Sequence, residues 1–141
     1  MKLELPETLE DWNTRGADYL PGRLDLEFLK VEADEVIGRF KVEKSHMSWN
    51  GFLHAGSVVT LADTCCGYGV LKALPEGADA FTTIDVNSNF ISTARSGIVA
   101  CSARPLHTGR ATQVWDATVT SEASGKTIAH FRCTQMILWP R

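Results

Sequence analysis

Hydrophobic and polar residues alternate over most of this chain, and only two stretches follow a different period. From Leu24 to Lys44 the residues Leu26 and Phe28, then Val36, Gly38, Phe40 and Val42, recur at every second position. That spacing predicts two strands with Glu32 to Glu35 as the turn. Phe81 to Ile91, Ile98 to Leu106, Thr112 to Thr120 and Thr127 to Trp139 are long segments rich in Thr, Val, Ile and aromatic residues, again strand chemistry. Arg95-Ser96-Gly97, His107-Thr108-Gly109 and the run Ser121 to Lys126 read as the turns between them. Pro105 cannot donate a ladder hydrogen bond, so its segment should meet a sheet edge or a bulge there.

The two exceptions are helical. Pro6 to Tyr19 carries Leu9, Trp12 and Tyr19 as a partial apolar face, with Glu7 and Glu10 in the first turns, where acidic groups suit the helix dipole. After a loop-like stretch from Ser45 to Leu53, a second helix should start near His54 or Ala55. Val58, Leu61, Ala62, Cys65, Cys66 and Val70 give it apolar positions over more than three turns. Gly67 and Gly69 weaken it by roughly 1 kcal/mol each relative to alanine, and Pro75-Glu76-Gly77 breaks it. The order is therefore helix, two strands, one long helix, then a four-strand antiparallel meander. This predicts a two-layer α+β arrangement in which the sheet curls around a helix too apolar to lie on the surface. With no repeat, low-complexity tract or linker, residues 1–141 read as one domain.

Composition narrows the function classes. Hydrophobic residues make up 44% and charged residues 22%, an ordinary globular balance. A net charge of −3 disfavours a nucleic-acid partner. No apolar run approaches the ~20 residues of a membrane span, and MKLELPETLEDW is too acidic and polar for a signal peptide. Cys65, Cys66, Cys101 and Cys133 match neither a zinc spacing nor a secreted disulfide framework, which predicts reduced, buried thiols in a cytoplasmic protein.

The stretch NGFLHAGSVVTLADTCCGYGV, from Asn50 to Val70, carries the candidate chemistry. A helix start at Ala55 has unpaired N–H groups and a partial positive charge, and Ala55 and Gly56 have little side chain to obstruct approach. Aimed at a carbonyl oxygen, such groups stabilise the charge that develops in acyl transfer. Asp63 stands eight residues on, about 12 Å along the axis. One helix cannot easily bring both groups to one carbonyl. Two antiparallel copies across a twofold axis can set Asp63 of one chain beside Ala55 of the other. Taken singly, Asp63 also reads as a solvated or structural carboxylate, His54 as a cap and Asn50 as a turn residue.

Gly51-x-x-His54-Ala55-Gly56 followed by Leu61-Ala62-Asp63 resembles the G-x-x-H-G-G…L-A-[DE] signature of hotdog-fold acyl-CoA thioesterases. The likeness is to the phenylacetic-acid-degradation (PaaI-like) branch of the 4-hydroxybenzoyl-CoA thioesterase superfamily. It continues through Asp85 to Ile91, the small-residue stretch Ser92 to Gly97 and the turn His107 to Arg110, and spans roughly Leu24 to Trp139. The resemblance implies a hotdog fold, a long central helix wrapped by a curved antiparallel sheet. It implies hydrolysis of an aryl- or short- to medium-chain acyl-CoA, with Asp63 as nucleophile or general base and the Ala55 N–H of a partner chain polarising the carbonyl. His54 would shape the site near the thioester sulfur or hold the loop, and Gly56 completes the motif. The family's glycine is Ala55 here. Its amide six residues before the histidine is Ser48, with Asn50 at four before, and Gly67 stands where some relatives carry a hydroxyl, with Thr64 nearby. Asn89, Arg95 and Arg110 would meet coenzyme A, and Trp49 would wall the acyl pocket. Coenzyme A enters as part of the substrate; no metal or other cofactor is implied, and the expected assembly is a homodimer or a dimer of dimers. Hotdog domains also serve as non-catalytic acyl-CoA-binding modules and as dehydratases or hydratases.

Overall fold

A computed structural model of the chain describes residues 2–141. Two short helices, α1 (Leu9–Arg15) and α2 (Leu20–Arg23), precede β1 (Glu27–Val31) and β2 (Val36–Lys41). Then come the long helix α3 (Ala55–Lys72) and β3 (Ala80–Phe90), β4 (Ile98–Thr108), β5 (Thr112–Ser121) and β6 (Thr127–Leu138). The N-terminal helix is shorter than its apolar spacing predicts. Thr8 Oγ1 caps its start by accepting from the Asp11 N–H, and Gly16 ends it. Trp12 anchors α1 in the core, with its ring 4.8 Å from that of Tyr68 on α3.

All six strands form one antiparallel sheet in the order β1-β2-β4-β5-β6-β3, and α3 packs against every one of them. The α+β expectation therefore holds, but the four-strand meander does not. β4, β5 and β6 run as a meander; β3 lies beyond β6, and β4 pairs with β2 instead. Residues 91–97 cross the end of the sheet between them. Arg95-Ser96-Gly97 is thus the end of a crossover rather than a hairpin turn. The register of β4 on β5 shifts between Pro105 and His107, and β2 pairs with β4 only as far as Ala103. Pro105 so meets both a bulge and the end of its neighbour.

Alternation places the inner face. Phe40 on β2, Val99 and Cys101 on β4, Trp115 and Val119 on β5 and Phe131 and Cys133 on β6 are buried against Leu61, Cys65, Cys66 and Val70 of α3. Close approach depends on one glycine above all. A Cβ on Gly69 would stand 2.3 Å from the ring of Trp115, so the helix rests on that indole only because position 69 has no side chain.

Candidate active site

The start of α3 is fastened from several directions. His46 is fully buried and stacked on Phe40, with ring centroids 4.2 Å apart. Its Nδ1 accepts from the Glu43 N–H at 2.9 Å, so Nε2 carries the proton and donates to Leu24 O at 2.6 Å. The His46 carbonyl in turn accepts from the His54 N–H and from Ser57 Oγ. Thr93, on the crossover from β3, accepts from the Leu53 N–H at 3.0 Å. Gly51 turns the loop with φ of +88°, a conformation that favours glycine.

His54 is the N-cap. Its Nδ1 accepts from the Gly56 N–H at 2.8 Å and its carbonyl accepts from the Ser57 N–H at 3.0 Å. This fixes the neutral tautomer with the proton on Nε2, a free donor. It also leaves the exposed Ala55 N–H without a partner among the described residues. The helix start thus presents one open backbone donor, with Gly56 occupied by the cap.

Asp63 stands more than two turns on, half-buried. Burial pushes its carboxyl above the ordinary carboxylate value, and no hydrogen bond or opposite charge offsets that shift. It lines a cavity of about 240 Å³ with Thr64, Gly67, Tyr68, Phe81 and Thr83. Ala55 opens on a separate, larger groove of about 470 Å³, with Phe52, Leu53, Val58, Phe90 and Ile91. Within one protomer the donor and the carboxylate belong to different openings, as the helical spacing requires.

The other predicted residues fall into three groups. Thr64 shares the Asp63 cavity. Arg95 borders the Ala55 groove, with its guanidinium 5.1 Å above the Phe52 ring and Nε donating to Gly51 O. Arg110, stacked 4.2 Å from the Trp139 ring, lies at the opposite end of β4, about 30 Å away at 3.3 Å per strand residue. One protomer does not bring these arginines together. Asn89 pairs with exposed His130 on the outer face of the sheet, where its amide donates to Asn87 Oδ1, away from both openings. Asn50 Oδ1 accepts from the Phe52 N–H in a local turn, and Trp49 is fully exposed and walls neither opening. Among the described residues no group of three or more His, Cys, Asp or Glu side chains could hold a metal ion.

Several residues at the site escaped sequence reading. Tyr68 lies four residues beyond Thr64, a spacing that could have placed the two on one face of the helix. Period-two reading of β3 could have paired Phe81 with Thr83. His46 and Thr93 carried no comparable signal, because the contacts that tie them to the site, His46 to Leu24 and Ser57 and Thr93 to Leu53, join residues 11 to 40 positions apart.

Comparison with known proteins settles the family. Residues 50–128 match the model of the thioesterase superfamily, more than half of the chain. The chain belongs to the thioesterase superfamily. It is 31% identical over 134 residues to the 1,4-dihydroxy-2-naphthoyl-CoA hydrolase of Escherichia coli, covering 93% of this chain and 95% of that one. The enzyme of the same name from Listeria monocytogenes is 30% identical over 112 residues, 79% of this chain and 89% of that one. A crystal structure of a thioesterase from Haemophilus influenzae superposes with a TM-score of 0.87 at 28% identity, covering 98% of this chain and 95% of that one. The superfamily's hotdog fold is the fold described above, and the chain is a thioester hydrolase.

Proposed function

We propose that this thioesterase hydrolyses an aryl- or short- to medium-chain acyl-CoA to the carboxylic acid and free CoA, in a site shared between two copies of the chain. One observation carries the reading: α3 holds an unpartnered N–H at Ala55 and a desolvated, unpartnered carboxylate at Asp63, each on its own opening. A twofold axis that sets two α3 helices antiparallel joins Ala55 of one chain to Asp63 of the other. The substrate carbonyl oxygen accepts from the Ala55 N–H. The Asp63 carboxylate then attacks the carbonyl carbon, or takes a proton from the water that does. The oxyanion is held by the helix start and collapses as the C–S bond breaks and CoA leaves as the thiolate. In the first case water then hydrolyses the acyl–Asp63 anhydride to the acid; in the second the proton held by Asp63 passes to the departing sulfur. Burial that raises the Asp63 carboxyl also makes its ionised form a stronger base. His54 Nε2–H is a donor for the departing sulfur, and Gly56 keeps the approach open. The apolar Ala55 groove suits the pantetheine arm, with Arg95 at its rim for phosphate.

Within the superfamily, the G-x-x-H-x-G…L-A-D pattern supports the PaaI-like branch for this chain, read as one domain. The chemistry draws on water and side chains alone, and substrate and unpaired thiols both suit the cytoplasm. No helix is long and apolar enough to cross a membrane among the described residues. Two relatives named as CoA hydrolases favour hydrolysis over hydration or binding without turnover. The test is a panel of aryl- and acyl-CoA thioesters with the purified chain. Asp63→Ala and Asp63→Asn should fold normally and lose at least about 100-fold in kcat/KM. Undiminished turnover in both variants would remove Asp63 from the mechanism.

A further inference from the structure

Two glutamines occupy the same buried layer between the sheet and α3. Gln113 on β5 and Gln135 on β6 are direct cross-strand partners, and neither is exposed. Their side chains are used in opposite ways. Gln113 Nε2 donates to Ala73 O at 2.9 Å, and its Oε1 accepts from Trp115 Nε1 at 2.8 Å. Gln135 makes no hydrogen bond with either amide atom. The Cys133 thiol acts on this side chain but is a weak hydrogen-bonding group that leaves the amide unsatisfied. A buried carboxamide with no partner is unfavourable, and folded proteins rarely retain one without a use for it.

Its other neighbour shows where a partner can enter. On the side away from Gln113, Gln135 pairs with Thr83 of β3, a wall of the Asp63 cavity. Directly paired residues point to the same face, with Cβ atoms about 4.5–5.5 Å apart. Phe81, the preceding inward residue of β3, also walls the cavity, and its ring lies 3.3 Å from where a Gly67 Cβ would stand. Phe81 and Thr83 thus wall the cavity on the strand that flanks Gln135. A cavity of about 240 Å³ has room for one small ring, and the hydroxyls of Thr64, Tyr68 and Thr83 make its wall only partly apolar.

We propose that Gln135 is a specificity-determining residue: its carboxamide hydrogen-bonds a hydroxyl or carbonyl substituent on the acyl group that fills the Asp63 cavity, reached when the Phe81 ring turns aside. This rests on the thioesterase reading and adds to it the residue that recognises a polar substituent on a ring acyl group. A site with an unpaired amide discriminates strongly against the analogue that lacks the matching group. The test compares kcat/KM of the full-length protein for benzoyl-CoA and for its 2-, 3- and 4-hydroxy derivatives. At least one hydroxylated substrate should be preferred by about 10-fold or more. Gln135→Met, which keeps the volume and removes both polar atoms, should bring that ratio close to one whatever the absolute rate. An equal ratio in the folded variant and the wild type overturns the proposal, as does a wild type with no preference. A second measurement needs neither variant nor turnover: the Gln135 side-chain amide resonance in labelled wild-type protein should shift with a hydroxybenzoate and not with benzoate. If both acids leave it unmoved, Gln135 has no such role. Failure to hydrolyse every thioester overturns the thioesterase reading alone, and the resonance still decides the contact.

Discussion

The two edges of the sheet are finished differently. β1 is five residues long, carries a bulge between Phe28 and Lys30, and is closed by a side chain. Asn13 of α1 donates from Nδ2 to Phe28 O at 2.9 Å and accepts the Phe28 N–H on Oδ1 at 2.8 Å, so one amide imitates the next strand. β3, at the other edge, is eleven residues long and has no such plug. Ile84, Val86 and Phe90 stand 43–56% exposed along it. An open, apolar edge of this length invites pairing with another chain, and folded proteins normally block one that has no partner. Here the open edge also borders both halves of the candidate site, through Phe81 and Thr83 at the Asp63 cavity and Phe90 at the Ala55 groove. One edge is completed within the chain; the other is open to the second copy that a shared site requires.

The largest effect should come from spoiling the open edge. Val86→Lys puts a charge where two β3 strands would meet, so sedimentation should show monomers and kcat/KM should fall by roughly 100-fold or more, as expected when an oxyanion donor is removed. A fully active monomer would end the shared-site reading. Treating the closed edge in the same spirit should affect stability instead. Asn13→Ala removes two part-buried hydrogen bonds and should cost about 1–3 kcal/mol in denaturant unfolding, with turnover and assembly retained. A loss of activity matching that of Val86→Lys would mean the edges are not functionally distinct. The smallest effect concerns the carboxylate beside the open edge. The folded chain holds the Asp63 proton more tightly than the unfolded chain, because burial raises the carboxyl above its ordinary 3.8. That contribution to stability is complete below about pH 4 and is lost as pH rises through the raised value. Asp63→Asn should therefore melt above wild type at pH 7, with the gap closing towards pH 4.

Much of this was legible in the sequence, for identifiable reasons. Alternation and turn residues located all six strands, and the His54-Ala55-Gly56 turn located the start of α3, because both depend on neighbours close along the chain. Strand order was not legible. Period-two patterning says which face Val86 or Val99 occupies, but not which strand lies beside it, so β3 was read next to β4 although β6 and β5 lie between them. The site followed the same rule. Asp63 and Ala55 were found from spacing on one helix, whereas the His46 anchor, the Thr93 tie and the idle amide of Gln135 depend on contacts 11 to 52 residues away or on a bond not made. Asn89, Arg95 and Arg110 were grouped by chemistry, and the fold disperses them.

The contact between Gly69 and Trp115 also sets an order on descent. With an indole already at 115, any side chain at 69 would drive the helix off the sheet; with glycine at 69 and a smaller residue at 115, a gap would open beneath α3. The path between such states runs through the glycine first and the tryptophan second, and its reversal must give up the tryptophan before regaining a side chain at 69. In an alignment of relatives, a tryptophan at 115 should therefore occur only together with glycine at 69.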